Sequence, residues 1–395
     1  MIKYTKIIFK WLSISAIMGI LGGIFGSAFH RCLEIVTHTR EENSWLILFL
    51  PLAGLVITAL YHPFNIKRSL NTNLILSSVE ADDDIPAVLS PLIFIGTLIT
   101  HLFGGSAGRE GAALQLGGSM GYNIGKLIKL NKDEQHTIVM AGMSSFFSAM
   151  FGTPITAAIF SLEVIKAQNT HRKSLLPCMI SSVTAYVISR FLGAEGIRYS
   201  VEIMEISVDV MIKTLILAGL CGLVSIVFCL SIKYISIYMK KLIKNDYIRS
   251  LIGGVVIIGL VIIVGTTEYN GAGISVIDRA MEGDASYPAF ALKIIFTAIT
   301  IAAGFKGGEI VPALFVGSTF GCVFGGLLGL DSAFGASLGF AALFAGVIKC
   351  PLASVVLAFE VFGAEGILLY AVACFVSYLL SGKISIYEHS KERSL

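Results

Sequence analysis

Long uncharged stretches alternate with short charged segments along this chain of 395 residues. A helix needs about 20 mostly apolar residues to cross a bilayer, and about 17 is the lower limit. Several stretches are shorter than that or contain Gly and Pro, and such broken helices are tolerated at membrane depth only where they line a protein cavity. The uncharged stretches are Trp11–Phe29, Trp45–Tyr61, Ala87–Gly108, Thr137–Leu162, Thr214–Ile232, Ser250–Thr267, Ile310–Leu330, Ser332–Ile348 and Gly366–Gly382. The pattern therefore predicts an all-α polytopic membrane protein in which some helices end inside the bilayer.

The composition indicates the same class. The chain is 55% hydrophobic with a mean hydropathy of +0.83, and 14% of its residues are charged, against about 25% in soluble domains. The net charge of +3 carries no nucleic-acid signal, so the lipid bilayer is the expected large partner. Basic clusters in short loops favour the cytoplasmic side but leave the orientation open. They lie at Lys126, Lys129 and Lys132, at Lys166, Arg172 and Lys173, and at Lys240, Lys241 and Lys244.

The stretch from Gly104 to Ala113 places two charges, Arg109 and Glu110, between small residues and an apolar helix. A charge at membrane depth costs roughly 3 kcal/mol on insertion scales, so an intramembrane charge is a functional candidate. The alternative is an ordinary ion pair at the lipid headgroup boundary. An internal repeat around the same residues favours the functional interpretation.

The repeat has an offset near 200 residues. Gly108 is followed by glycines 9 and 13 residues later, and Gly308 is followed by glycines at the same two spacings. Pro154–Glu163 and Pro351–Glu360 both begin with Pro and end with Glu. A third matched pair of segments is Asn71–Ile75 and Gly271–Ser275. Three matches in the same order make chance similarity of apolar helices a poor explanation.

Membrane proteins with such repeats often consist of two inverted halves around a binding site at the bilayer midplane. We expect repeat 1 at about residues 8–192 and repeat 2 at about 208–382, within one transmembrane domain of residues 1–395 and with no soluble regulatory domain. Helix N-termini carry unpaired N–H groups and a partial positive charge, so several of them aimed at one point stabilise an anion there. The expected termini lie after Asn73, after Glu110, after Gly308 and before Tyr387.

These motifs resemble those of the CLC family of anion channels and anion/proton antiporters. Gly108–Gly111 matches the family's Gly-(Lys/Arg)-Glu-Gly-Pro motif, with Ala112 in place of Pro. Gly308–Pro312 matches its Gly-x-Phe-x-Pro motif, with Ile310 in place of Phe, and Tyr387 falls where the family has its late pore tyrosine. The resemblance covers nearly the whole chain. It implies two inverted repeats with broken helices and a homodimer with one anion pathway in each subunit.

The departures from the family's motifs resemble its bacterial fluoride/proton antiporter branch. Chloride-type members carry Gly-Ser-Gly-Ile-Pro in the first turn, whereas Asn71–Ile75 resembles the branch's Gly-Asn-Asn-Leu-Ile, with Asn71 in place of Gly. Val164 stands where proton-coupled chloride members have a second Glu, which fluoride members also lack. Val311 replaces the Thr of the branch's Gly-Glu-x-Thr-Pro and removes a hydroxyl near the expected anion path. The resemblance implies fluoride export in exchange for protons across a bacterial inner membrane, with chloride/proton antiport or a passive anion channel as alternatives.

The resemblance also implies roles for individual residues. The carboxylate of Glu110 would be the gate, competing with the anion when deprotonated and carrying a proton when it swings away. Asn73, Leu74, Ile75, Gly111 and Tyr387 would bind the anion, Glu309, Ile310 and Val311 are pathway candidates, and Gly108 and Arg109 would support the gate. Alternatives stay open, because Tyr387 also suits a membrane interface, Asn73 a helix cap and Glu309 a loop contact. Glu163 and Glu360 are expected to cap or pair at the cytoplasmic edge.

An intramembrane enzyme is the alternative from a different class. It would need a nucleophile with its base, or metal ligands, at membrane depth. The seven histidines contain no pair with metal-ligand spacing, and Asp82–Asp84 lies in a polar loop. The seven cysteines have no CxxC or Cys/His spacing and lie mostly in apolar runs, which indicates packing. We therefore expect a transporter with no cofactor and no metal.

Overall fold

Sixteen α-helices form most of the part of the chain that this computed structural model describes, which is residues 2–64, 72–80, 83–165 and 171–387. The first eight helices are α1 Ile2–Glu42, α2 Leu50–Tyr61, α3 Thr72–Glu80, α4 Leu89–Leu102, α5 Glu110–Leu127, α6 Lys132–Phe151, α7 Pro154–Glu163 and α8 His171–Phe191. The second eight are α9 Val208–Leu242, α10 Asp246–Val264, α11 Ile274–Met281, α12 Ala289–Ala303, α13 Ile310–Leu327, α14 Ser332–Ile348, α15 Pro351–Phe362 and α16 Ile367–Leu380. The prediction of an all-α membrane protein is confirmed.

Some helices are long enough to cross a bilayer, and others are too short to do so. By length and composition, six helical segments among the described residues could cross a bilayer. The helices α3, α7, α11 and α15 have only 9, 10, 8 and 12 residues. At 1.5 Å per residue they reach about 12–18 Å, well short of a hydrocarbon core about 30 Å thick. Their ends therefore lie within the protein, as the interrupted apolar stretches predict.

Two reciprocal backbone hydrogen bonds, which we call the glycine bridge, join the two predicted repeats. The Gly108 N–H donates to the Gly308 carbonyl at 2.7 Å, and the Gly308 N–H donates to the Gly108 carbonyl at 2.7 Å. These two residues hold equivalent places in the repeat, and they pair in antiparallel fashion. The reciprocal pair is what a two-fold relation between inverted halves produces. Eight helices precede residues 192–207 and eight follow them, although the exact repeat boundaries stay a prediction.

Close glycine contacts hold each half together. A Cβ at Gly117 on α5 would lie 2.2 Å from the Gly142 carbonyl oxygen on α6. A Cβ at Gly317 on α13 would lie 2.3 Å from the Gly339 carbonyl oxygen on α14. Only glycine permits such an approach, and close backbone packing is a main source of helix association in lipid. The repeated glycine spacing thus encodes the same helix pair twice.

Helices α7 and α15 cap each other. The Glu163 carboxylate accepts hydrogen bonds from the Leu352 and Ala353 amides at 3.1 and 2.7 Å, at the start of α15. The Glu360 carboxylate accepts bonds from the Ile155 and Thr156 amides at 3.0 and 2.7 Å, at the start of α7. The expected capping is confirmed. The two helices are antiparallel, so their glutamates lie at opposite ends of the pair, and the expected position at the cytoplasmic edge stays a prediction.

The ends of the helices define two faces. Lys10 pairs with Glu134, and Lys173 lies 3.5 Å from Asp133, so the starts of α1, α6 and α8 share one end, the basic face. Arg31 donates to the Leu192 carbonyl at 2.9 Å, which places it at the far end of α8, on the distal face. The α1 helix therefore runs from the basic face toward the distal face.

Candidate functional site

The glutamate of the glycine-rich motif is buried at the N-terminus of α5. Its side chain has no exposure, and α5 begins at Glu110 itself with Arg109 as the N-cap. The Arg109 N–H donates to Glu110 Oε2 at 3.1 Å, and Arg109 Nε donates to Glu110 Oε1 at 3.2 Å. The carboxylate thus folds back onto the positive end of its own helix. That is the position where a helix terminus stabilises an anion.

A second carboxylate lies across the glycine bridge. A Cβ at Gly111 would stand 2.7 Å from Gly308 Cα and 3.7 Å from Glu309 Oε2, so only glycine fits between the two helix starts. Glu309 is 4% exposed, and its Oε2 has no hydrogen-bond partner among the described residues. Glu110 and Glu309 therefore approach the same crossing from α5 and α13, and only the first has both oxygens bonded.

The start of α13 adds apolar walls. Ile310 and Val311 are fully buried, and Val311 Cβ lies 3.0 Å from the position of a Cβ at Gly108. The first amides of α13 point at the same crossing as those of α5, because both helices begin directly after the glycine bridge. Two positive helix ends thus converge there.

The turn near Asn73 belongs to a separate short helix. Because α3 begins at Thr72, Asn73 lies inside its first turn rather than before it, and Asn73 and Leu74 are half-buried. Ile75 is fully buried, and its Cγ2 lies 2.2 Å from the position of a Cβ at Gly118 on α5. The helix therefore packs on α5 two turns beyond Glu110. Asn71 lies outside the described residues.

The segment around Tyr387 differs from the prediction. No helix begins before Tyr387 within residues 381–387, so the expected helix terminus there is wrong. The Ile386 N–H instead donates to the Val347 carbonyl at 3.1 Å, near the end of α14, and the Tyr387 N–H donates to Ser385 Oγ at 3.2 Å. Tyr387 is only 2% exposed, whereas a tyrosine of the interfacial belt would be open to lipid headgroups.

The structure also buries a charged residue that the motifs do not include. Lys293 on α12 is fully buried, and its Nζ donates to the Tyr269 and Gly271 carbonyls at 3.1 and 2.7 Å. The sequence does contain a sign of it, because Lys293 is the single charged residue in the otherwise apolar helix Ala289–Ala303. Among the described residues, no group of three or more His, Cys, Asp or Glu side chains could hold a metal ion.

Comparison with known proteins gives consistent matches. The family model described as voltage gated chloride channel matches residues 54–382. A "Chloride/fluoride channel protein" of Pseudomonas syringae pv. tomato is 32% identical, over 97% of this chain and 87% of the relative. The crystal structure of a CLC-type fluoride/proton antiporter is 31% identical with a TM-score of 0.92, covering 96% of this chain and 97% of that one. An H(+)/Cl(-) exchange transporter ClcA of Vibrio campbellii is 26% identical, over 99% of this chain and 91% of the relative.

Proposed function

The chain belongs to the voltage gated chloride channel (CLC) family, and we propose that it is a fluoride/proton antiporter gated by Glu110. The observation that carries this proposal is the buried Glu110 carboxylate, bonded to the N-terminus of its own helix at the glycine bridge. A negative oxygen in that position stands in for a transported anion. The protein would work as a homodimer in a bacterial inner membrane, with one pathway in each subunit.

Competition at the helix terminus links the two fluxes. With Glu110 ionised, its carboxylate occupies the positive ends of α5 and α13 and excludes the anion. With Glu110 protonated, the side chain loses most of that attraction and swings away, so an anion takes its place. Each exchange of carboxylate for anion therefore moves a proton with Glu110.

The proton route runs through Glu110 and not through Glu163. Both oxygens of Glu163 accept backbone amides of α15, so protonation there would uncap that helix. Val164, the next residue, has no titratable group and cannot carry a transported proton. Glu309 is the pathway candidate that the contacts favour, because its Oε2 lies beside Gly111 and has no hydrogen-bond partner in the part of the chain that the structure describes.

The similarity to relatives and the chemistry of the site favour fluoride. A relative at 32% identity named chloride/fluoride channel protein and a solved fluoride/proton antiporter at 31% identity both carry fluoride in their names, and the Asn73 turn resembles that branch. Fluoride is smaller than chloride and gives up more hydration energy, so it needs close donors with strong local fields. The amides of α3, α5 and α13, the Asn73 side chain and the Tyr387 hydroxyl would supply them.

Anion efflux from liposomes tests the proposal. Reconstituted protein should release fluoride much faster than chloride from liposomes loaded with either ion, with an ion-selective electrode as the readout. Protein-free liposomes serve as the control. Equal rates or faster chloride release would reject fluoride selectivity, and fluoride release without accompanying proton uptake would identify a passive channel.

A further inference from the structure

A cluster of cations lies on the distal side of the gate, around the turn that precedes α11. Lys293 Nζ donates to the Tyr269 and Gly271 carbonyls and lies 5.0 Å from the centre of the Phe315 ring. Two carbonyl oxygens and a ring face are partners for an ammonium group. The two hydrogen bonds use two of the three N–H donors of the ammonium group.

Arg40 brings a second cation to the same turn. Its Nη1 donates to the His101 carbonyl at 3.2 Å and lies 2.2 Å from the position of a Cβ at Gly271. The side chain is 11% exposed, and its ion-pair partner is Glu41 at 3.2 Å, which is mostly exposed on the distal end of α1. Arg40 therefore joins the buried turn to the distal surface.

Two buried polar atoms beside these cations lack hydrogen-bond partners in the described part of the chain. His101 Nδ1 contacts the Thr97 carbonyl at 2.9 Å, whereas Nε2 of the same ring has none, and His101 is 2% exposed. Asn270 Oδ1 is also unpartnered, and Asn270 is 2% exposed. The assignment of O and N in an amide can be exchanged, which would present a donor instead. Leaving a buried polar group without a partner is costly, and a bound water or ion is one way to satisfy it.

The cluster has an excess of positive charge close to the gate. Arg40, Arg109 and Lys293 all lie close enough to act electrostatically on His101. Within this group Glu110 is bonded to Arg109 and Glu41 lies at the rim beside Arg40. Unbalanced cations at membrane depth are costly, so a bound anion would offset them.

We propose that Arg40, His101, Asn270 and Lys293 form a second anion site on the distal side of the gate. It takes a small monovalent anion of the halide class and holds it before or after passage through the Glu110 site. The proposal rests on the proposed function for the identity of the anion. It differs from the gate because its donors are side chains of α1, α4 and α12 and of the turn before α11.

Counting bound anions tests the site directly. Fluoride binding to the purified full-length protein should be measured by titration calorimetry at low ionic strength, on wild type, Lys293→Met and Arg40→Gln. Each variant should bind one fluoride fewer per chain, or bind it about tenfold more weakly, because a hydrogen bond to a charged group is lost. Glu41→Gln removes the neighbouring negative charge and should tighten binding.

Lys213→Met is the matched control, since Lys213 is a cation of α9 bound to Asp209 and outside the cluster. It should leave the number of bound fluorides unchanged. The site would be overturned if the number of bound fluorides per chain and the fluoride affinity were unchanged in Arg40→Gln, Lys293→Met and Glu41→Gln. If Lys293→Met lowers the melting temperature but leaves fluoride binding unchanged, Lys293 has a structural role alone. If Lys293→Met fails to fold, the variants of the partly exposed Arg40 and the mostly exposed Glu41 decide. If the wild-type protein exchanges fluoride for protons but none of the three variants changes fluoride binding, only this second site is rejected and the proposed function stands.

Discussion

Three glutamates hold their carboxylates in three different ways. Glu110 bonds to Arg109 and to the start of its own helix, Glu163 bonds to a helix of the other half, and Glu309 keeps one oxygen without a partner in the described chain. A carboxylate that caps a distant helix cannot move without breaking that cap, whereas Glu110 can leave by local rotation. The local sequence motifs were enough to select Glu110 and Glu309 as candidate site residues. They could not identify the partner of Glu163, which lies 189 residues away.

At the same scale, the Tyr387 hydroxyl can be tested alone. If it donates to the anion or to Glu110, Tyr387→Phe should slow fluoride transport by roughly tenfold or more, since a donor to a charged group contributes about 1.5–3 kcal/mol. Efflux from liposomes measures the rate, and the melting temperature in detergent checks the fold. Tyr247→Phe, at the start of α10, is the control. Unchanged turnover and affinity in Tyr387→Phe would return this residue to a packing role.

Among the elements, the helix starts were the most predictable part. Glycine, proline and asparagine signals place the beginnings of α3, α5, α7, α13 and α15 within about two residues of the observed ones. The chain after α16 was not predictable, because Ile386 bonds to Val347 in α14 and no local pattern reports such a tertiary contact. For the same reason, no local pattern could predict the contact between Glu360 and the start of α7, which lie about 200 residues apart.

The crossed caps of α7 and α15 lead to a prediction about stability. Glu163→Gln keeps the shape of the side chain but removes the charge and one accepting oxygen. It should lower the free energy of unfolding by about 1–2 kcal/mol. Thermal melting in detergent measures the loss, with the exposed Glu365→Gln as control. Proton coupling should persist in Glu163→Gln, and its loss at wild-type stability would contradict the capping role.

For the molecule as a whole, the two halves share a backbone plan and differ in chemistry. The Ser106 amide donates to Thr300 Oγ1 at 3.0 Å, and the Lys306 amide donates to Thr100 Oγ1 at 3.0 Å, on either side of the glycine bridge. The repeat predicted this symmetry. At the gate, however, Glu110 corresponds to Ile310, so only one of the two converging helices carries a carboxylate at its first residue. In the proposed mechanism, this asymmetry leaves one proton carrier, Glu110, to compete with the anion at a symmetric pair of helix ends.

The most direct test of this account is fluoride-driven proton uptake in Glu110→Gln. Gln keeps the shape of the side chain and removes its titration, so the protein should fold as wild type does. Liposomes loaded with fluoride and placed in fluoride-free medium should take up protons through the wild-type protein, as a pH electrode or an internal dye reports. If Glu110 carries the proton, Glu110→Gln should abolish this uptake, whether fluoride movement stops or becomes passive. Proton uptake at the wild-type rate in Glu110→Gln would contradict this role and leave Glu110 as a structural partner of Arg109.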